Sequence, residues 1–474
     1  MDIEERASQP IYCLSGQKGR DAMRTGLRIG AGASALHYRH PLVSCITRFL
    51  GILADVSDPG SGDRVWWTPL RAALAAVLMA LDHGCCLRER FADARACLAQ
   101  DLGRGERAGG TYNGLVKALE RQAGVVLPAI KTDLQRRAKE RFRRLRGRAR
   151  WLLLAVDGSK ENLPRTRDHE RHFGIADNGA VPQALLTTIV EVRTGLLWDW
   201  RIDRGRGSEK DHLVQMASNL PPGALLLGDG NFVGFRVWSW LNGAGKPFLI
   251  RVGGNVRLIT RLWPDVEARY TGNIVYVWPK NRQRATPPLM LRLIKVGRGS
   301  KAVHLLTNVL ESTDLPRRDA GRIYRQRWGA ELFFRTLKRT LGYDKLRSRA
   351  GRRARLELEW ALIAMTIMTL LGLAAASRHR IDSYRLSPAH LIRTLRSALL
   401  RGLVTAGIDG CDELIRALVS ELQDTYERHR PKRSRYRPKT KNTPRPLQLK
   451  PPRIRQATAQ EKRLAQKHRE HNAA

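Results

Sequence analysis

Residues 321–348, GRIYRQRWGAELFFRTLKRTLGYDKLRS, contain no proline and carry Gly329 as an interior break before Gly342. A stretch so rich in helix formers reads as one helix. On it Tyr324, Arg327, Glu331 and Lys338 fall at offsets 0, 3, 7 and 14. At roughly 100° per residue those offsets confine all four to an arc of about 60°. A tyrosine, a carboxylate and two cations on one stripe suit the joint binding of a metal and a phosphate. The same spacing also describes a salt-bridged helix surface, because Arg327 and Glu331 are an i,i+4 pair of opposite charge.

The spacing Y-x2-R-x3-E-x6-K, matched in full by Tyr324, Arg327, Glu331 and Lys338, resembles the signature of the DDE transposases of bacterial insertion sequences, in the family typified by insertion sequence four. The resemblance implies two aspartates upstream, each closing a buried strand. WLLLAVDGSK, from Trp151, is a continuous apolar run ending in Asp157, and ALLLGDGNF, from Ala224, is a second ending in Asp229. Both have the texture of strands covered on two faces. Between them QALLTTIVEV (183–192) and LLWDWRI (196–202) read as a hairpin and EKDHLVQMASNL as a helix. A short helix at 234–242 and a strand at 247–252 follow. Strand, hairpin, helix, strand, helix, strand is the order of an α/β RNase H-like core. Taken singly, each Asp-Gly is ordinary turn chemistry after a strand. Together, ahead of the Glu331 helix, they point to a shared site. The neighbourhood GDGNF departs from the family's usual residues between the aspartate and the phenylalanine.

The formal net charge of +41 over 474 residues favours a polyanionic partner and salt-dependent attraction to nucleic acid. A basic protein bound to anionic lipid or ribosomal RNA has the same composition. Hydrophobic residues make up 42%, enough for globular structure in more than one domain. The six cysteines, Cys13, Cys45, Cys85, Cys86, Cys97 and Cys411, form no CxxC pair, so they read as thiols of a reducing compartment. The N-terminus shows no signal-peptide pattern. The most apolar run, 360–376, suits a packed core helix better than a membrane span.

These textures divide the chain into a flexible basic arm (1–40), a helical DNA-binding domain (41–150), the RNase H-like catalytic core (151–252 plus 313–376) with a β-rich insertion (253–312), a helical region (377–427) and a disordered Arg/Lys/Pro-rich tail (428–474). The run RRAKERFRRLRGRAR (136–150) reads as a phosphate-contacting end of its helix. The resemblance implies such an insertion, and in it Trp278 or Trp263 as a candidate to stack on a displaced base, against the commoner role of a tryptophan in a small core.

Asp157, Asp229 and Glu331 are therefore the expected catalytic and metal-binding residues, supplying hard oxygen ligands to two Mg²⁺, with Mn²⁺ able to substitute. Without metal, three crowded carboxylates repel, so the empty site is expected to be loose. Tyr324, Arg327 and Lys338 are the expected DNA contacts. The resemblance implies cut-and-paste transposition on double-stranded DNA, at element ends and target, by a homodimer in a synaptic complex, in the bacterial cytoplasm near the nucleoid and away from membranes. Two alternatives stay open: an RNase H-like nuclease or resolvase without strand transfer, and a non-catalytic DNA-binding protein derived from a transposase.

Overall fold

The apolar run before Asp157 sets the centre of the fold. In the computed structural model, which describes residues 40–57, 66–100, 110–147, 149–175, 181–299, 302–402 and 450–471, this run opens strand β1 (Leu152–Asn162), whose first five residues are buried. One edge of β1 pairs antiparallel with β2 (Gln183–Glu191), and β2 with β3 (Leu197–Arg204). The other edge pairs parallel with β4 (Ala224–Gly228), and β4 with β5 (Phe248–Val252). The order 3-2-1-4-5, antiparallel on one side and parallel on the other, fits an RNase H-like core.

The sheet does not end at β5. The strands β6 (Arg257–Thr260), β7 (Asn273–Val277), β8 (Leu289–Val296) and β9 (Val303–Thr307) continue it, because β9 pairs antiparallel with β5 and covers that otherwise open edge. The β-rich insertion is thus an extension of the central sheet. At its far edge β10 (Arg453–Gln456) pairs parallel with β6, so that the sheet has ten strands among the described residues.

Helices pack around this sheet. The first four are α1 (Pro41–Leu50), α2 (Pro69–Leu81), α3 (Leu87–Ala99) and α4 (Tyr112–Arg146). Thr68 and Thr111 cap α2 and α4, their side chains accepting from the backbone N–H of Arg71 and Gly114. Next come α5 (Arg167–Phe173), α6 (Glu209–Ala217), α7 (Phe235–Gly243) and α8 (Pro264–Glu267). The chain closes with α9 (Arg317–Gln326), α10 (Trp328–Arg335), α11 (Gly351–Arg378), α12 (Pro388–Gly402) and a last helix, α13 (Ala459–His471). Helix α11 is long and apolar enough to cross a membrane, yet 89% of its most apolar window is buried inside the protein. The N-terminal helices do not stand apart: Phe142 of α4 packs 5.7 Å from Trp198 of β3, and both belong to one hydrophobic core shared with the sheet and α11.

Four sequence expectations change. The single helix over 321–348 begins earlier, at Arg317, tightens at Arg327 and widens into a π-turn at Thr336–Thr340 before Gly342, whose φ of +78° ends it. Tightening occurs where Gly329 meets the backbone of Val192, and a Cβ there would lie 2.6 Å from the Val192 carbonyl carbon. Strand β1 does not stop at Asp157, because its pairing with β2 runs on to Asn162. The run at 136–150 is partly spent internally: Phe142 is buried, and Arg136 and Arg137 bind Asp133. Finally, residues 450–471 of the expected disordered tail form β10 and α13, held by the unfilled edge of β6, by buried Ala465 and by Arg455–Glu461 pairing. The arm at 1–39 and residues 403–449 lie outside the described residues.

Candidate active site

Register brings the two aspartates together. Leu154 pairs with Leu226 and Ala155 with Leu227 across β1 and β4. Two residues further on, the same parallel register sets Asp157 beside Asp229, although 72 positions separate them in sequence. Each spends one oxygen on local turn chemistry. Asp157 accepts from the N–H of Gly158 at 2.9 Å, and Asp229 from the N–H of Asn231 at 2.8 Å. The other oxygen of each is left for the site.

Helices α9 and α10 and the π-turn after them carry the signature residues to this end of the sheet. The Arg327 guanidinium lies 2.6 Å from Glu331 and 3.7 Å from Asp157, so one cation stands between two carboxylates. Burial pushes the Asp157 carboxyl up to about 6, further raised by the charges of Asp229 and Glu331 and opposed by Gly158 N–H and Arg327. Tyr324 packs against the core with its hydroxyl buried. That burial pushes it up to about 12, with Asp229 adding to the shift and Arg327 and Arg251 opposing it. Lys338, on the π-turn, reaches the carbonyl of Lys160 at 3.3 Å and the buried carboxylate of Glu161 at 3.2 Å.

Arg327 and Lys338 of the signature therefore face β1, while Tyr324 lies near Arg251 and Asp229. Neighbouring positions face outward: Arg325, Trp328, Leu332, Arg335 and Arg339 are all exposed. Trp328 is 58% exposed, the most open large apolar side chain among the described residues. Sequence reading did not single out these positions, though their i, i+3, i+7 spacing is visible in the sequence. Nor did it single out Glu209, which α6 brings to the aspartates, or Glu161. In contrast, Trp278 donates its indole N–H to Thr286 and Trp263 packs on Tyr276, both in the small core of the extended sheet.

The donor set, three carboxylates, suits a hard divalent cation, although one oxygen of Asp157 already faces Arg327. It is not closed. Among the described residues the one three-ligand group within 4.8 Å is the exposed Cys85, Cys86 and Glu89, where a Glu89 oxygen already accepts from both cysteine N–H groups. At Asp157, Asp229 and Glu331 a cation would have to draw the carboxylates inward and displace the Arg327 guanidinium.

Residues 152–367 match the family described as Transposase DDE domain. The transposase InsG of insertion sequence element IS4, from Escherichia coli (strain K12), is 26% identical over 224 residues, 44% of this chain and 50% of that protein. The chain thus spans about half the length of the curated relative it matches. A structure of the piggyBac transposase synaptic complex with hairpin DNA is similar at a TM-score of 0.39 and 13% identity, over 82% of this chain and 86% of that one. Residues 152–367 are thus similar to the transposase DDE domain, and part of that stretch to the transposase of insertion sequence element IS4.

Proposed function

We propose that this chain is a DNA transposase that cleaves insertion-sequence ends and joins the freed 3′-hydroxyl to target DNA, cut-and-paste. The observation that carries the reading is the meeting of Asp157 and Asp229 at adjacent strands with Glu331 across Arg327. Asp157, Asp229 and Glu331 would hold two Mg²⁺, or Mn²⁺ in their place. When bound, such ions activate the attacking water or hydroxyl and stabilise the departing oxygen.

The protein's own part is positioning and charge. Glu331 rides on a helix fixed against Val192 by Gly329, so its place relative to β1 is set by backbone packing. Arg327, released from the carboxylates, offers a planar fork to a phosphate beside the reacting one. Lys338, beside Glu161, offers a second cation to the DNA, and Tyr324, packed against the core with its hydroxyl buried, braces the helix beneath Arg327. The exposed outward arginines meet the backbone of the bound duplex, and Trp328 offers a face for stacking on a base. The reading includes a homodimer pairing two element ends, acting in the bacterial cytoplasm on nucleoid DNA.

The test uses labelled duplex carrying the element's own ends, with Mg²⁺, and compares wild type, Asp157→Asn and Glu331→Gln. Wild type should nick and form strand-transfer products, and both variants should bind without cutting. Cutting without joining would favour a nuclease. Binding without metal-dependent cutting by wild type would favour a DNA-binding protein derived from a transposase.

A further inference from the structure

Gly158 follows Asp157 directly, and in a strand adjacent residues point to opposite faces. The face of Gly158 and its register partner Thr187 is covered by α6, where Thr187 Oγ1 lies 2.8 Å from His212 Nδ1. On that face the Glu209 side chain occupies the space a Gly158 side chain would fill. A Cβ there would lie 3.0 Å from Glu209 Cγ and would overlap the carboxylate itself. Glu209 is the first residue of α6, held there by the Ser208 cap on Asp211 N–H. Its half-buried carboxylate makes no hydrogen bond or ion pair among the described residues; burial raises it, the charges of Asp229 and Asp157 add to that, and those of Lys160 and Lys210 oppose it from beyond ion-pair distance.

A carboxylate that enters from the α6 face with no hydrogen-bond or ion-pair partner, offset only by the more distant Lys160 and Lys210, and with the strand's side chain deleted beneath it, is unfavourable unless a cation in direct contact completes it. The helix start alone accounts for nothing here, because Ser208 already serves as the cap. Glu331 approaches Asp157 from the other face, through Arg327.

We propose that Glu209 is a fourth carboxylate of the metal-binding site, reaching the cations beside Asp157 and Asp229 from the face opposite Glu331. The inference rests on the metal-site reading above. Gly158 is its positioning partner: the glycine is there to admit the carboxylate.

The experiment is Mn²⁺ binding by the full chain without DNA, followed by electron paramagnetic resonance of the free ion. Glu209→Gln keeps the shape and removes the charge, and should weaken Mn²⁺ binding by about tenfold or more. Gly158→Ala displaces the carboxylate with every charge retained, and should weaken binding comparably. Asp211→Asn, an exposed carboxylate paired to Arg236 two residues along, controls for general loss of charge and should change affinity by less than about twofold. Metal-free thermal unfolding of Glu209→Gln should match or exceed wild type, since a repelling charge is gone.

If Glu209→Gln binds Mn²⁺ like wild type while Asp157→Asn and Asp229→Asn bind weakly, Glu209 lies outside the site and the inference fails alone. If the aspartate variants also bind like wild type, the metal site itself fails. Equal weakening by Glu209→Gln and Asp211→Asn would reduce the effect to bulk electrostatics and overturn the proposal.

Discussion

Lys338 Nζ stands 3.2 Å from Glu161 Oε1, and the Glu161 side chain is fully buried. The signature lysine is therefore also the counter-charge of a buried carboxylate. Burial pushes the Glu161 carboxyl up to about 7, with Lys338 opposing it and so limiting the shift. A carboxyl raised on folding binds its proton more tightly in the folded state. Stability from this group is then present at low pH and declines as pH rises from about 4.5 through about 7.

The corresponding loss is about 3 kcal/mol across that window. Glu161→Gln should abolish it, so denaturant unfolding at pH 4.5, 6 and 8 should show a flatter profile than wild type. Lys338→Met should do the reverse, leaving the carboxylate unpaired and costing about 3–5 kcal/mol at pH 8 but far less at pH 4.5. Parallel profiles for all three proteins would rule out the coupling.

Gly329 and Gly124 make a matched pair of helical glycines. A Cβ on Gly329 would strike the Val192 backbone, whereas Gly124 in α4 has open space around it. Gly124→Ala should raise stability by up to about 1 kcal/mol, the ordinary helix preference for alanine. Gly329→Ala should lower it by about 2 kcal/mol or more, because backbone cannot move aside as a flexible side chain can. It should also lift Glu331 off β1 and abolish nicking. Equal melting temperatures for the two variants would show that α10 is not pinned at Val192.

The difference between these glycines was visible in sequence only as two interruptions of helical texture. Contacts 137 residues apart in sequence, such as Gly329 on Val192, carry no local signal. Apolar runs closing in Asp157 and Asp229 did carry one, because a strand buried on both faces leaves no room for polar residues until it emerges. Their adjacency followed from the expected sheet order. Glu209 was invisible for the opposite reason. It opens a charged helix start, SEKDH, that looks like any capped surface helix, and only Gly158 beneath it gives it meaning. Composition misled at 450–471, where Pro and Arg suggested disorder. Pairing of Arg453–Gln456 with β6 depends on an open strand edge far away in the chain.

That C-terminal segment is tied down by Glu461, whose carboxylate accepts from Arg455, Thr458 and Gln283. Arg455, the leading cause, holds Glu461 down at about 2, so the stability it contributes is present above about 4.5 and lost as pH falls toward 2. Limited proteolysis should leave 450–471 attached at pH 6 and release it near pH 2.5, with Glu461→Gln releasing it at both. Release of the wild-type segment at pH 6 would contradict the docking of β10 on β6.

Arg327 offers the sharpest separation between holding the site and working in it. Its guanidinium sits between Asp157 and Glu331 at 3.7 and 2.6 Å, where it neutralises charges that would otherwise repel. A divalent cation drawn to the same oxygens must displace it and then lies close to a positive group. Replacing it by an uncharged side chain removes that repulsion, worth more than 1 kcal/mol at such distances even with a high effective dielectric. Arg327→Met should therefore bind Mn²⁺ about tenfold more tightly than wild type, while its metal-free form melts lower because the carboxylates lose their counter-ion. Nicking and strand transfer should fall together, since the same guanidinium is the proposed phosphate contact. Tighter metal binding with weaker chemistry would distinguish a placeholder cation that moves to the substrate from a structural salt bridge. Looser metal binding in Arg327→Met would mean instead that Arg327 holds the carboxylates in place for the ion and is not displaced by it.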